Sequence, residues 1–486
     1  MNKLTEEVID FKTFEKIVFS IMCKVACELI QLSLWTWDRI VMARRDKNEY
    51  YCIGNRKSTI KTIMGEVEYK RRYYRKHSGG YVFLLDEMIG LQKDYGLVSE
   101  NFAEHIVAEC SEKSFRKAAN SISSLTGQAI SAMGAWGVVK RFGEKLESQE
   151  DLLEELDRKG VVGQLGNLFC KVLFGEFDDV WLSRQKEKRR KKGESSDDGQ
   201  KKPGMKPMHV GTAYTGWEQE KDGSYKSVDK FAYASYGDTT GFVSKYEMLL
   251  RQRFDMDGVE QRLINGDGES WIKTAAEGCD AILQLDPYHR SQAVIKAIRD
   301  RNDRKAVFDA IKESDVDKVL GTISAIADKT NDEDLRKTVL ELYTYFFNNR
   351  DSLLTWKERG IELPSPPEGQ DYRTLGIQET SNCELITSRM KGNKASWSVD
   401  GANTMGKILC YRGTIGIDTV LGILQEPPLA QSLEDPLSAA RAPLYDGKGY
   451  EGRHADMPFE QAFKTNGREA IRNIFRQKPL ADLRFI

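Results

Sequence analysis

The chain has 486 residues, enough for several domains with real apolar cores. Its 73 basic and 74 acidic residues nearly cancel, which excludes a wholly basic nucleic-acid coat protein but leaves room for local basic clusters. The eight cysteines form no C-x-x-C pair, so neither a structural zinc nor a disulfide scaffold is expected; Cys23 and Cys27 read as core thiols in a reducing compartment. No uninterrupted apolar run approaches the roughly 18 residues of a membrane span, and the acidic start (Glu6, Glu7, Asp10) lacks a signal-peptide pattern, so a soluble, cytoplasmic protein is expected.

Residues 5–45 read as amphipathic helix, with Phe11, Phe14, Ile17, Val18 and Ile21 at helical spacing. Residues 58–75 alternate as a β-hairpin turned at Met64-Gly65 and end in a Lys/Arg/Tyr cluster. Arg71 and Arg72 in that cluster suit phosphate contact, although a charged edge strand has the same composition. Residues 98–147 return to helix, and 114–142 resemble a helix-turn-helix. A hydroxyl among Ser123, Ser124 and Thr126 would cap a second helix from Gln128, turning Thr126, Gln128, Ser131 and Lys140 toward DNA. The alternative is a plain packing hairpin.

A buried-strand run, Leu168 to Phe174, is followed by Glu176-Phe177-Asp178-Asp179. The charged, low-complexity stretch 183–207 predicts a flexible loop whose basic part, 186–192, either clamps phosphates or is merely solvated. Strands at 208–216 and 228–236 complete a three-stranded meander, and a helix follows near 241–253. Leu263-Ile264 then ends in Asn265-Gly266-Asp267-Gly268, an apolar run stopped by glycines that present a carboxylate at a tight turn. A second strand, 282–285, ends in Asp286 with His289 three residues on. Residues 290–358 are helical and charge-rich, with core stripes at Leu320, Ile323, Ile326 and at Leu340, Leu342, Phe346. After the break at 363–369, residues 374–392 read as one helix carrying Glu379, Glu384 and Arg389; the Pro-rich tail beyond 425 is weakly patterned.

The expected organisation is therefore N-terminal helices (1–50), a hairpin segment (51–95), a helix-turn-helix-like region (96–160), a split mixed-sheet core (165–290 and 370–425), a helical insertion (291–369) and a tail (426–486). The fold class is α+β/α/β multidomain. This order of elements is that of a ribonuclease-H-like core interrupted by an all-helical insertion, whose chemistry is two-metal phosphoryl transfer. Such chemistry needs closely placed carboxylates, here Asp178, Asp267 and Glu379, around two Mg²⁺ or Mn²⁺ ions. With 74 acids in the chain an Asp/Asp/Glu triple is easily found by chance, so the surrounding residues matter.

Those residues carry a resemblance. Gly266-Asp267-Gly268 with Trp271-Ile272, then Leu285-Asp286 with His289, then Gly376 with Glu379, Thr380 and Asn382, then Arg389-Met390-Lys391 and Trp397-Ser398 resemble the ISLre-type insertion-sequence transposases over roughly residues 50–420. Arg71-Arg72-Tyr73-Tyr74 is similar to their N-terminal pattern. The resemblance implies a DDE-type transposase, magnesium-dependent, that cuts at insertion-sequence ends and transfers strands into target DNA, working as a dimer or higher oligomer. Its first acid maps onto Asp178, its second onto Asp267 and its third onto Glu379. Relatives continue the first acid with more acidic and His residues, where this chain has Val180-Trp181, so Asp179 stays an alternative.

Asp286 and His289 match a motif shared with Mutator-type relatives; His289 either assists proton transfer, contacts the scissile DNA, or organises the loop behind Asp267. Arg389 would hold a phosphate or sit solvated near a helix end, and Trp397 would stack on a flipped base or pack in the core. Glu384 points away from Glu379 as a weak alternative ligand. Two rival readings stand beside the transposase: a catalytically degenerate, element-derived DNA-binding protein, and a nuclease without strand transfer.

Overall fold

The computed structural model describes residues 10–91, 97–160, 166–185 and 205–416. The tail beyond 425 and the basic part of the 183–207 loop lie outside the described residues. The chain divides into two compact units, one of residues up to Phe102 with Ser124–Gln128, the other of Ala103–Ser123 with the chain from Ala129.

The first unit opens with a single long helix, α1 (Phe11–Arg44), capped by Asp10, whose carboxylate accepts from the Thr13 amide. The expected hairpin follows as β1 (Tyr50–Lys61) and β2 (Glu66–Lys76), antiparallel, with β3 (Tyr81–Val82) beside β2 and the short helix α2 (Leu84–Met88) after it. Strand alternation puts Val67, Tyr69 and Arg71 on the inner face of β2. Leu34 of α1 packs with Ile60, Val67, Tyr69 and Leu85 into this unit's core. One expectation is corrected here: despite Lys24 and Glu28, α1 contains a window long and apolar enough, by length and composition, to cross a membrane.

Helices α3 (Glu100–Glu112), α4 (Phe115–Thr126) and α5 (Ala132–Arg158) come next. The second helix of the expected helix-turn-helix starts later than predicted. Gly127, at φ +68°, follows α4, and Ser131 is the cap, accepting from the Gly134 amide at 2.9 Å. Thr126 instead accepts from the Gln128 amide.

The second unit is built on a five-stranded mixed sheet. Its strands are β4 (Val172–Ser183), β5 (Met205–Tyr214), β8 (Phe231–Ser235), β9 (Gln261–Gly266) and β10 (Ile282–Leu285); β6 (Gly216–Gln219) and β7 (Tyr225–Val228) form a side ribbon with β11 (Gln370–Asp371). The spatial order is β10-β9-β4-β5-β8, with β4, β5 and β8 antiparallel and β4, β9 and β10 parallel. Helices α6 (Thr239–Arg253) and α7 (Ser270–Gly278) cover one face through Phe177, Phe242, Tyr246 and Ile272. The first strand starts and ends later than expected, so Asp178 and Asp179 sit within β4 rather than after it.

Between β10 and the last helices the chain forms α8 (Pro287–Ala297), α9 (Arg301–Lys312), α10 (Val316–Lys329) and α11 (Glu333–Asn348), a helical block with its own core. Leu320, Ile323, Ile326, Leu342 and Phe346 are buried there as predicted, whereas Leu340 is exposed because it lies off the inward stripe of α11. The helix expected over 374–392 begins only at Gln378: α12 (Gln378–Asn382) passes through a π turn (Cys383–Thr387) into α13 (Ser388–Met390). Finally α14 (Val399–Ile415) runs along β8, tied to α5 by the buried Lys407–Glu150 pair at 2.6 Å.

Candidate active site

The site grows from strand register. β4 and β9 run parallel with Glu176 opposite Asn265, and β9 and β10 run parallel with Gly266 opposite Leu285. Two residues past the first pairing come Asp178 and Asp267; one past the second come Asp267 and Asp286. Strands lie about 4.8 Å apart, so three carboxylates emerge at one level of the sheet, the side where open α/β sheets bind ligands.

Alternation along β4 separates Asp178 from Asp179. Glu176 and Asp178 share a face with Phe174 and look toward α12. Asp179 looks toward α6 and α7, and pairs with the buried His209 at 2.6 Å beside Trp271. Asp178 accepts instead from the Asn382 side-chain amide, also at 2.6 Å. Burial pushes the Asp178 carboxyl up to about 6, helped by the charges of Asp267 and Asp179 and opposed by the Asp179 amide and His289.

Asp267 follows Gly266 into a turn in which Gly268 adopts φ +90°. A side chain at Gly268 would strike Asn349, whose Oδ1 lies 2.6 Å from the place a Cβ would take. The Tyr345 hydroxyl donates to the Asp267 carbonyl at 2.6 Å, so α11 and the residue after it hold this turn from behind. Burial raises the Asp267 carboxyl, against the pull of the Glu269 amide and His289.

Asp286 caps α8 and grips His289, accepting from its backbone amide and from ring Nδ1 at 2.7 Å. That bond leaves Nε2 as the free ring nitrogen. The Asp286 hydrogen bond is the main cause that raises His289 to about 8, with further help from Asp286, Asp178 and Asp267 charge and against burial. Burial works to raise Asp286, but the hydrogen bonds from His289 and Asn265 outweigh it and hold the group below its ordinary value. The site therefore sets an imidazolium against Asp178 and Asp267.

The residue that sequence reasoning missed is Glu176. It is fully buried, and its carboxylate accepts from five donors: the Gly376, Ile377 and Gln378 amides at 3.0, 3.0 and 3.1 Å, the Tyr214 hydroxyl at 2.5 Å and the Asn265 side chain at 3.1 Å. Burial raises this carboxyl while the Tyr214 hydroxyl and the amides pull it down. Three of those donors are unpaired amides at the N-terminus of α12, so a strand carboxylate caps a helix far away in sequence. Asn265 also donates to Asp286, and Gln284 donates to Asn265, which extends the network under all three strands. Gln378 and Asn382, one turn apart, complete it through Thr212 and Asp178. Asn265 and Gln284 were visible as amides in apolar runs, but nothing in the sequence paired them with each other or with Gln378 and Asn382.

Glu379 is exposed on α12, three residues from Asn382 and so on a neighbouring part of the helix surface. Among the described residues, no three His, Cys, Asp or Glu side chains already stand close enough to hold a metal ion by themselves. Asp178 and Asp267 are brought together; Glu379 stands one helical turn from the amide that holds Asp178. Asp178 and Asp267 offer half-buried hard oxygens whose charges repel each other, the kind of donor Mg²⁺ or Mn²⁺ takes. Glu384 is exposed beyond the start of the π turn, 3.9 Å from Lys230. The π turn also shifts the phase of the helix, so the position of Arg389 relative to Glu379 does not follow from 3.6 residues per turn.

The proposed DNA contacts divide. Arg71 is buried, ion-paired with Asp86 and packed on the Phe83 ring at 4.0 Å, and Arg72 pairs with the buried Asp38. Arg389 lies against both the Phe115 and Trp397 rings, 5.3 Å from each centroid, and donates to the Cys110 carbonyl, and Trp397 is buried with its indole N–H on the Met390 carbonyl. Arg71, Arg389 and Trp397 are thereby corrected to internal roles, Arg71 turned inward by strand alternation and the other two held in aromatic packing; Arg72, half-buried on the other strand face, is engaged by Asp38. Lys140 is exposed beside Glu144, and Gln128 lines a cavity of about 490 Å³ with α1 and the β1–β2 turn.

Two expected results arise here. Because burial raises the Asp178 carboxyl from 3.8 to about 6, its ionised form destabilises the fold above pH 6. Asp178→Asn relieves this cost, about 3 kcal/mol at pH 7.5, but leaves the Asp179 amide or the Asn382 side chain without an acceptor, at about 1–3 kcal/mol; a small net gain at pH 7.5 that turns to a loss as pH falls through 6 toward 4 is expected. Thermal melts check this, and added Mg²⁺ or Mn²⁺ should raise the midpoint of the wild type but not of the variant. For His289 the sign is opposite. Its raised folded-state value gives stability that is complete below about pH 6.5 and lost as pH rises through about 8. Melting midpoints of the wild type should fall across that window relative to His289→Gln.

Comparisons with known proteins place the chain in a family. A UPF0236 protein of Caldanaerobacter subterraneus subsp. tengcongensis is 24% identical over 403 residues, covering 80% of this chain and 74% of its own. A UPF0236 protein of Streptococcus gallolyticus, described as lying in a vanSb 3′ region, is 24% identical over 356 residues, covering 71% and 70%. Solved structures with weak similarity include the Drosophila P element transposase strand transfer complex (TM-score 0.22, 9% identity, 67% of this chain and 80% of that one) and a pre-cleavage Mos1 transpososome (TM-score 0.12, 8% identity, 52% and 79%). The match to the uncharacterised protein family UPF0236 runs over residues 4–420, and the chain belongs to that family.

Proposed function

We propose that the protein is a DDE-type DNA transposase that cuts at the ends of an insertion sequence and joins the freed 3′ ends to target DNA. The observation that carries this reading is the convergence of Asp178, Asp267 and Asp286–His289 at one level of three parallel strands, with the helix bearing Glu379 capped onto β4 by Glu176. The strand order supports a ribonuclease-H-like core: three antiparallel strands, then two that add parallel on the other side of the first. The four-helix block between β10 and α12 supports the reading of a helical insertion.

Asp178, Asp267 and Glu379 are the proposed carboxylates for two Mg²⁺ or Mn²⁺ ions, with Asp178 preferred over Asp179 because Asp179 is already paired with His209. Bound ions of this kind activate an attacking water or 3′-hydroxyl and stabilise the leaving oxygen in line. Asp286 orients His289 so that Nε2 can hold or release a proton beside Asp178 and Asp267. Asn382 fixes the rotamer of Asp178, and Tyr345 with Gly268 fixes the turn of Asp267.

DNA would be held in the first unit by Gln128 and by exposed basic side chains of the hairpin, Arg56, Lys57, Lys70 and Arg75, with Arg56 over the Tyr73 ring; Lys140, in the second unit, is a separate proposed contact. These take over the role first assigned to Arg71 and Arg72. The test is formation of a joined product from labelled element-end DNA and a target plasmid. A nuclease would leave cut ends unjoined, and a degenerate DNA-binding descendant would bind without cutting.

A further inference from the structure

The N-terminal part of α1 carries apolar side chains that its own unit does not cover. Phe11, Phe14, Val18, Ile21, Val25, Leu32 and Trp35 are all exposed. Their spacing alternates between four and three residues once Glu28 is counted: positions 11, 18, 25, 32 and 14, 21, 28, 35 are the two seam positions of a heptad, and seven of these eight are apolar. The helix meets the hairpin mainly through Cys27, Ile30, Leu34, Trp37 and Asp38, while Glu28, Leu32 and Trp35 border an open cleft beside it.

We propose that α1 is the self-association surface of this protein, pairing with α1 of a second copy as a short coiled coil. A heptad seam is shaped for another helix with the same repeat, and a second copy supplies it. Aromatic side chains bury about 150–250 Å² each and the aliphatic seam residues less, and the seven apolar seam residues are 38% to 77% exposed. Pairing would therefore cover on the order of 600 Å² per copy and about 1,200 Å² in all, the lower end of a stable specific interface. Ile17, Met22 and Leu29, exposed beside the seam, add to this. Glu28, the single polar seam position, would set register at some cost in stability.

A lipid bilayer is the poorer occupant. From Cys27 onward the helix is engaged with the hairpin: Gln31 donates to the Glu68 carbonyl and Asp38 pairs with Arg72. That leaves roughly 16 residues clear, about 24 Å of helix, short of the ~30 Å hydrocarbon core. Lys12, Lys16 and Lys24 fall within that stretch.

This pairing does not depend on the transposase reading, and solution mass tests it. By sedimentation velocity at micromolar concentration, the full-length chain of 55.3 kDa should run at twice its mass. Val18→Glu/Ile21→Glu should raise the dimer dissociation constant at least ~100-fold, with the circular dichroism spectrum unchanged because both positions are exposed in the single chain, and the melting midpoint should lose its dependence on protein concentration. Should that variant lose its fold, Val18→Ser/Ile21→Ser is the milder version, expected to weaken the dimer in the same direction. A wild type that stays monomeric at tens of micromolar would overturn the proposal. So would a dimer indifferent to both variants, or flotation of the wild type with phosphatidylcholine/phosphatidylglycerol vesicles that the glutamates abolish.

Discussion

Glu176→Ala is expected to be the most destabilising single substitution in the second unit. It would strand three backbone amides at the start of α12, the Tyr214 hydroxyl and one Asn265 amide proton in a fully buried place. An unsatisfied buried group costs about 1–3 kcal/mol, and the neighbours can relax around part of the loss, so a total of about 3–5 kcal/mol is expected in denaturant unfolding. Glu176→Gln is the sharper experiment, because it keeps the shape and removes the charge. It should leave the fold in place but loosen the helix start, which hydrogen exchange at Gly376, Ile377 and Gln378 would register as lost protection. If those amides exchange as slowly in the variant as in the wild type, the carboxylate is not what anchors α12.

The second large effect separates Glu379 from Glu384. Both are exposed acids on the same helical stretch, five residues apart, with the π turn beginning between them. If Glu379 completes the carboxylate set, Glu379→Gln removes several kcal/mol of transition-state stabilisation, about a 10³-fold fall in cleavage rate. Glu384→Gln should stay within a few-fold of wild type. End-DNA affinity should change little in either variant, since neither group faces a phosphate in this reading. Equal losses from both substitutions would remove Glu379 from the site.

Which parts of this were readable beforehand follows from how locally each is encoded. Asp267 and Asp286 were legible because an apolar run stopped by glycine, or by a capping Asp-Pro, marks a strand end within a few residues. The hairpin at 58–75 was legible from period-two alternation, and the same alternation shows that Arg71 shares a face with Val67 and Tyr69, so its inward role was in reach. Glu176 was not. In Glu-Phe-Asp-Asp it looks like one more acid, and its burial depends on a strand and a helix start 89 and 200 residues away. The π turn and the packing of Arg389 against two aromatic rings are likewise products of tertiary contact. The late start of α5 reflects competition between several hydroxyl caps, decided by the left-handed Gly127.

The most direct measurement is strand transfer by the purified full-length protein with Mg²⁺, labelled insertion-sequence end DNA and a target plasmid, wild type beside Asp267→Asn. Joined products from the wild type that vanish in the variant are the predicted result, since Asp267 emerges level with Asp178 at the ends of β4 and β9 and its charge acts on both Asp178 and His289. Specific binding of the ends with neither cleavage nor joining, in wild type and variant alike, would contradict the account and leave a DNA-binding protein on a nuclease-like frame.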